Sequence, residues 1–353
     1  MPLNFKPVYK ITNSILKKLF EIDKIKEEVR SLPLTPKVLA GLRESSKLFS
    51  THYSTVIEGN RLTSKEVKEV LVGHKSIKGR ERDEKEVKGY YRALDAVAAL
   101  SKNKTIKEKD IQILHGYVMG APKAKATPYR EGQNVIKELG SGRIVYMPPE
   151  AKDVPDLMKN FTFWLNENKE DTPVPVLAAI AHYQFVTIHP YYDGNGRTAR
   201  ILTTLVLHQN AYDLNGIYNL EEYYAKNLQD YYSAITIGPS HNYYEGRAEA
   251  DITSWIEYFI TGMLDTFRSL RKHLALQDKK EDKTEFIKNL DSRQKKALAL
   301  FEESNFITSK DLEKLFKFSG RTARQLAQKW VKEGFLAVAD SSKKSRKYKR
   351  VEF

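Results

Sequence analysis

The stretch His189-Pro-Tyr-Tyr-Asp-Gly-Asn-Gly-Arg-Thr-Ala-Arg200 decides the reading of this chain. Gly194 and Gly196 let a backbone approach a ligand closely and turn N–H groups inward. Ile201, Leu202 and Leu205 follow at helical spacing, so the glycines open a helix, and a helix N-terminus attracts anions. Arg197 and Arg200 are three apart and share a face of that first turn, where they can clamp phosphate oxygens. Asp193 can hold a divalent cation that bridges phosphates. His189 is the group best suited to take a proton near neutral pH. A histidine before proline, a Gly-Asn-Gly turn or an Asp before Gly is ordinary by itself. Together, at one helix start, they point to phosphate chemistry.

Outward from this loop, the pattern is helical almost everywhere. The run from Val174 to Val186 is strongly apolar and leads into His189-Pro190. Asp156 to Asn166, Tyr90 to Leu100 and Ile111 to Val118 read as further helices. The stretch from Pro128 to Pro149 differs, with glycine, prolines and the β-rich run Arg143-Ile144-Val145-Tyr146. It predicts a loop or small hairpin. Residues 1–89 are charged and helical: Ile15, Leu19, Ile22, Ile25 and Val29 recur at helical spacing. Pro33 and Pro36 then break the chain, and a second helix is expected from Lys37 to Ile57, stopping near Gly59-Asn60. Thr63 and Glu66 form a capping box ahead of Val67, Val70 and Leu71.

The bulk numbers bound the classes. With 353 residues, two or three domains are expected. At 41% hydrophobic and 29% charged the composition is that of an ordinary globular protein. Having no cysteine, the chain forms no disulfide and no thiolate metal site, which suits the cytoplasm. No apolar run is long enough to span a bilayer, and Met1 to Lys18 lacks the core of a signal peptide, so no membrane association is expected. No Walker A and no His-Glu-x-x-His sequence occurs, leaving the common ATPase and zinc-peptidase readings without support. His182 reads as a packed helix residue rather than a metal ligand, and His52, His74, His208 and His241 suggest no site.

After a charged connector at 270–283, residues from about 284 to 353 look separate. Lys295 to Glu302 is a helix, Thr308 and Asp311 cap a second, and Gly320 to Glu333 is a third. Its stripe is Ala323, Leu326, Ala327, Trp330 and Val331, and Gly334 ends it. Strands at Phe335 to Ala339 and Arg346 to Phe353 follow. Three helices and a hairpin predict a winged helix-turn-helix. Residues 283–353 hold 18 Lys/Arg against 9 Asp/Glu, so most of the net charge of +14 lies here. Ser319, Arg321, Thr322, Arg324 and Gln325 near the start of the third helix, and Lys343, Lys344, Arg346 and Lys347 in the wing, are candidate DNA contacts.

The central stretch resembles the signature of Fic-domain proteins, His-Pro-Phe-x-Asp/Glu-Gly-Asn-Gly-Arg-x-x-Arg, with Tyr191 where that family usually has Phe. Ile180 to His189 looks like the family's helix into the active loop. Pro128-Tyr-Arg130 with Gly142 to Pro149 looks like its flap, and Asp251 to Phe259, with Trp255, like its closing helix. The resemblance covers roughly residues 35–270. It implies an all-α Fic fold with a small β-hairpin flap, ahead of the winged helix. The implied domains are an N-terminal helical region at 1–89, a catalytic core at 90–270, a linker at 271–283 and the C-terminal domain at 284–353.

The resemblance also implies an activity, adenylylation (AMPylation): ATP would give AMP to a Ser, Thr or Tyr hydroxyl of a protein target, self-modification included. His189 would be the base and Asp193 would hold Mg²⁺. Gly194, Asn195 and Gly196 would form the anion hole, Arg197 would meet the β-phosphate region and Arg200 the γ-phosphate. Thr198 and Ala199 belong to the same nucleotide-binding turn, and Tyr232 would flank adenine. Arg143, Ile144, Val145, Tyr146 and Met147 would be the flap that pairs with the target backbone. The segment from Ser54 to Glu58, then Gly59, matches the family's inhibitory helix, here about 37–58. Glu58 would pair with Arg200 and restrain the enzyme; in some relatives this glutamate positions water to remove AMP, so an enzyme that mainly removes AMP is one alternative. A DNA-binding regulator whose Fic domain senses nucleotide is the other, disfavoured because a sensor needs no base. A homodimer is also expected, from relatives with this layout.

Overall fold

In a computed structural model the chain divides into two compact units, Met1–Arg271 and Lys272–Phe353. Residues 5–32, 34–73, 75–137, 142–238, 240–340 and 346–351 are described here, without the side chains of 276–289 and 302–303. Pro33, His74, Lys343 and Lys344 lie outside the described residues.

The first unit begins with α1 (Asn13–Arg30), capped by the Thr12 hydroxyl and burying the apolar stripe from Ile15 to Val29. Pro36 does not break the chain. It is the first residue of α2 (Pro36–Ile57), where its missing N–H costs nothing, and Thr35 caps it. The core-facing side of α2 is mostly hydroxyl: Ser46, Ser50, Thr51, Ser54, Thr55 and Ile57 are buried. Gly59, at φ +86°, takes the left-handed turn that stops the helix. The expected capping box of Thr63 and Glu66 opens α3 (Ser64–Leu71). Next come α4 (Glu81–Leu100), which starts earlier than its apolar run because Glu81, Asp83 and Glu84 favour a first turn, and α5 (Glu108–Val118).

A two-stranded antiparallel hairpin follows, β1 (Ile136–Lys137) with β2 (Ile144–Tyr146), pairing Ile136 with Tyr146 and Lys137 with Ile144. Then come α6 (Val154–Glu167), α7 (Val174–Ile188), α8 (Asn195–Gln209), α9 (Glu221–Lys226), α10 (Leu228–Ile235) and α11 (Thr253–Asn289). Buried on nearly every side, α7 is the central helix and packs most closely on α8. The fully buried Trp255 of α11 donates its indole N–H to the Ala179 carbonyl at 2.8 Å. His182 is buried among helices, its ring nitrogens 3.0 Å from Thr203 and 2.9 Å from Tyr231. The charged stretch 271–283, expected as a linker, continues α11 as helix; it holds Lys, Glu, Gln and Asp but no glycine or proline to stop one.

The second unit holds α12 (Ser292–Ala297), α13 (Leu300–Glu303), β3 (Ile307–Thr308), α14 (Ser309–Phe316), α15 (Gly320–Lys332), β4 (Leu336–Asp340) and β5 (Lys347–Arg350). The stretch Lys295 to Glu302 is thus two short helices. A third strand, β3, joins the expected hairpin in a sheet of order β3-β5-β4. Thr308 and Asp311 form the capping box of α14. The core is built on Trp330, Phe335, Ala323, Ala327, Leu312 and Tyr348.

Candidate active site

The loop between α7 and α8 is fixed from below before it can offer anything to a ligand. His189 ends α7 in the left-handed region, at φ 52° and ψ 58°, a conformation that a non-glycine residue adopts only under tertiary restraint. The restraint is Arg130. Its Nε donates to the His189 carbonyl at 2.9 Å, its backbone N–H to the Pro190 carbonyl at 2.9 Å, and its other nitrogens to the carbonyls of Gly132 and Pro149. On the other side, His115 of α5 stacks on Tyr191 with ring centroids 3.5 Å apart and reaches the Asp193 carbonyl at 2.9 Å. Asn195 bonds both backbone groups of Tyr191, at 3.0 and 2.7 Å. Gly194, at φ +77°, must be glycine: a Cβ would also meet Met119 Sδ at 2.8 Å.

Such packing sets the state of the histidine. His189 Nδ1 lies 3.2 Å from the Val186 carbonyl, so a proton there leaves Nε2 as acceptor. Burial, reinforced by the Arg130 charge, pulls its pKa down to about 4. The ring is neutral and ready to take a proton at any pH above that.

The two arginines share one side of the first turn of α8, as their spacing requires, and both are buried. Arg197 lies 3.3 Å from Asp193 and 3.8 Å from Glu86. Arg200 donates from Nε to the Ser54 hydroxyl at 2.7 Å, and from Nη2 to the Ser54 carbonyl at 2.9 Å and to Glu58 at 2.8 Å. Burial is the largest single influence and works against its charge, but Glu58 together with Tyr231 and Tyr90 outweighs that and raises its pKa. The same Glu58 oxygen stands 2.3 Å from where a Cβ on Gly196 would be. The glutamate carboxylate therefore occupies the space over the first turn, where backbone N–H groups have no intrahelical acceptor. Tyr232 stands at its side, its hydroxyl 3.3 Å from the Ile57 carbonyl and its ring half-exposed.

Three expected site residues stand differently from the rest. Thr198 and Ala199 are fully buried and have no surface to present to a ligand. Met147, the last flap residue, already pairs its N–H with the His241 carbonyl and its carbonyl with the Tyr243 N–H. Arg143, Ile144 and Val145 remain at least partly accessible, while Tyr146 is buried and donates to the Thr187 carbonyl at 2.6 Å. Asp193 is a single, largely exposed carboxylate whose Oδ1 already accepts from Gly194. That donor set fits Mg²⁺, which commonly keeps its waters and binds one or two carboxylates plus substrate phosphate.

Residues 105–207, from the approach to α5 through α8, match the model of the Fic/DOC family. The chain carries a Fic domain. The protein adenylyltransferase Fic of Drosophila virilis is 30% identical to this chain over 199 residues, covering 56% of this chain and 40% of the relative. That of Drosophila ananassae is 35% identical over 179 residues, 49% and 35% of the two. The chain thus spans less than half the length of these curated relatives. A Fic family protein from Desulfovibrio desulfuricans G20 shares the fold with a TM-score of 0.63 at 23% identity, over 99% of both chains. Fic-1 of C. elegans does so at 0.61 and 23%, over 74% of this chain and 73% of its own. His115 and Glu86, which support the loop of the Fic domain, were not legible as site residues, and Arg130 was read only as part of the flap, without its role under the loop. Their partners lie far away in sequence.

Proposed function

We propose that this chain is a protein adenylyltransferase that moves AMP from ATP to a protein hydroxyl, itself included, and that Glu58 restrains it. The observation that carries the reading is the neutral His189, with Nε2 as acceptor, beside a glycine-lined helix start and two buried arginines. The hydroxyl oxygen of the target would attack the α-phosphorus of ATP. The bond from that phosphorus to the bridging oxygen would break, pyrophosphate would leave with its electron pair, and the hydroxyl proton would pass to His189 Nε2. First-turn N–H groups of α8 and Arg197 would balance phosphate charge. Asp193 would hold Mg²⁺, which when bound would neutralise phosphate charge.

Arg200 would take the γ-phosphate only after Glu58 leaves it. A second reading, removal of AMP, draws on the same Glu58 carboxylate, which stands over the site and could orient a water. The deciding assay is incubation of the full chain with Mg²⁺ and ATP labelled on either the α- or the γ-phosphate. Label from the α-position only, absent in His189→Ala, is expected. Label from the γ-position would overturn the reading.

For the C-terminal unit the proposal is a winged helix-turn-helix. Its support is the three-residue connection, Lys317 to Ser319, between α14 and α15, and the adjoining sheet. Arg321, Thr322, Arg324 and Gln325 are exposed at the start of α15, with Ser319 as its cap. Retention of duplex DNA on a filter that weakens steeply with salt would support phosphate contact there; salt-independent or absent retention would argue for a protein-docking module.

A further inference from the structure

Residues 240–250, between α10 and α11, build a wall beside the end of the hairpin. The wall has a buried root. Arg247 is 6% exposed, donates to the carbonyls of Ile235 and Ile237, and lies over the rings of Tyr146 and Tyr183. Ahead of it, Tyr243–Arg247 is a tight, irregular turn in which Gly246 takes φ +98°. Asn242 opens that turn by accepting from the Tyr244 N–H at 3.1 Å. The wall is stitched to the hairpin at Met147, whose N–H and carbonyl pair with His241 and Tyr243 at 2.8 and 3.0 Å. The Tyr244 hydroxyl accepts from the Glu150 N–H at 2.9 Å and donates to Asp153.

A cleft of about 510 Å³ lies between the two, lined by Met147, Pro148, Ala151 and Tyr244. Tyr244 is 48% exposed and Met147 37% exposed, although the tyrosine hydroxyl and the methionine backbone are already bonded. What they present is therefore an aromatic ring and a thioether. Glu150 and Lys152 stand at the same cleft and pair with each other at 2.5 Å, so these two charges answer one another. The surface left over suits an apolar or aromatic side chain.

The place of the cleft says whose side chain that is. Arg130 donates to the carbonyls of both His189 and Pro149, and Gln133, at the cleft, donates to that of Pro148 at 3.0 Å. One guanidinium thus spans from the base residue to the border of the cleft. A target that brings a hydroxyl to His189 must lay its neighbouring residues over this ground, and an extended chain advances about 3.3 Å per residue. We infer that the cleft is a specificity subsite for the protein target. It takes an aromatic or long apolar side chain within about four residues of the modified hydroxyl, with Tyr244 and Met147 selecting it. This rests on the transferase reading.

The test uses the full chain carrying Glu58→Ala, ATP labelled on the α-phosphate, and synthetic peptides with one central serine, threonine or tyrosine. Phe, Ala, Asp or Lys is placed in turn at each position up to four residues away. Phe at one position raises kcat/KM about tenfold over Ala, mainly through KM, as burying part of one ring requires. Asp and Lys there give no such rise. Adding Tyr244→Ala brings the Phe-to-Ala ratio within about twofold. Adding Met147→Glu, at a partly exposed position, lowers that ratio and lifts Lys above Ala at the same place. Damage to the fold would slow every peptide alike and would not exchange Phe for Lys. No positional preference, or one that survives both changes, overturns the inference, and so does a chain that labels itself but no peptide. If the chain does not label even itself, the transferase reading has failed and the subsite falls with it.

Discussion

Replacing Glu58 with alanine takes one charge from a buried pair and leaves the other. The Arg200 side chain is 1% exposed and that of Glu58 is 32%. Breaking a fully buried pair costs about 3–5 kcal/mol. Here water can enter where the glutamate stood, and two bonds from Ser54 remain, so about 2 kcal/mol is the better figure. Two outcomes follow from that one number. Without ATP the first unit loses about 2 kcal/mol, a fall in Tm of roughly 3–4 °C for a unit of this size. With ATP, the γ-phosphate no longer competes with a carboxylate, and 2 kcal/mol becomes about a thirtyfold rise in self-modification at low ATP. ATP should also raise the Tm of the variant more than that of the wild type, because it returns a negative charge to Arg200. Thermal melts with and without ATP, beside labelling from α-labelled ATP, read all three. A variant that melts earlier but gains no activity would refute the reasoning, since Glu58 would then be only a structural partner.

Other perturbations test other parts of the site. His115, His182 and His189 are held neutral, burial lowering their pKa to about 4, about 3 and about 4; the unfolded chain binds these protons near 6.5, so their stability is full above that pH. It is lost as pH falls, by about 1.4 kcal/mol per unit for each, and urea unfolding should show about 4 kcal/mol less at pH 5.5 than at 7.5. Gly196→Ala places a methyl on the Glu58 carboxylate, a flexible group that can move aside. Stability should change by less than about 1 kcal/mol, yet labelling should not rise as in Glu58→Ala, because the methyl also blocks phosphate. Gly116→Ala sets a methyl 2.0 Å from the Lys125 carbonyl, which is backbone and cannot yield; denaturant midpoints should show a loss of at least about 2 kcal/mol. Tyr191→Phe should keep activity and stability, or gain up to about 1 kcal/mol, since the buried Tyr191 hydroxyl has no bonding partner among the described residues. The nearby Thr127 hydroxyl already serves Gln112 and His115.

What could be read from the sequence was whatever local chemistry encodes. The stripe of α1, the capping boxes at Thr63 and Thr308, and the stops at Gly59 and Gly334 depend on neighbours within a turn, and they fold as their residues demand. The loop from His189 to Arg200 was legible for the same reason, since one helix start supplies its glycines, arginines and histidine. The pairing of Glu58 with Arg200 came from resemblance, across 142 residues, and no periodicity could have given it. Pro36 misled because proline reads the same whether it breaks a chain or begins a helix; only the cap at Thr35 separates the two. His115, and the role of Arg130 beneath the loop, escaped because their bonds go to carbonyls of distant residues, and a carbonyl carries no residue identity.

Arg200 shows why such a site resists reading as a list of residues. It belongs to the core by exposure and to the reaction by position. A buried guanidinium must keep its donors satisfied in every state. Glu58 satisfies one in the resting state, and in the proposed reaction the γ-phosphate would do so, while Ser54 serves in both. The hydroxyl face of α2 then has a physical reason. Apolar packing would seat the helix in one place, whereas Ser54 would keep its bonds to Arg200 while a carboxylate and a phosphate exchange at the helix end.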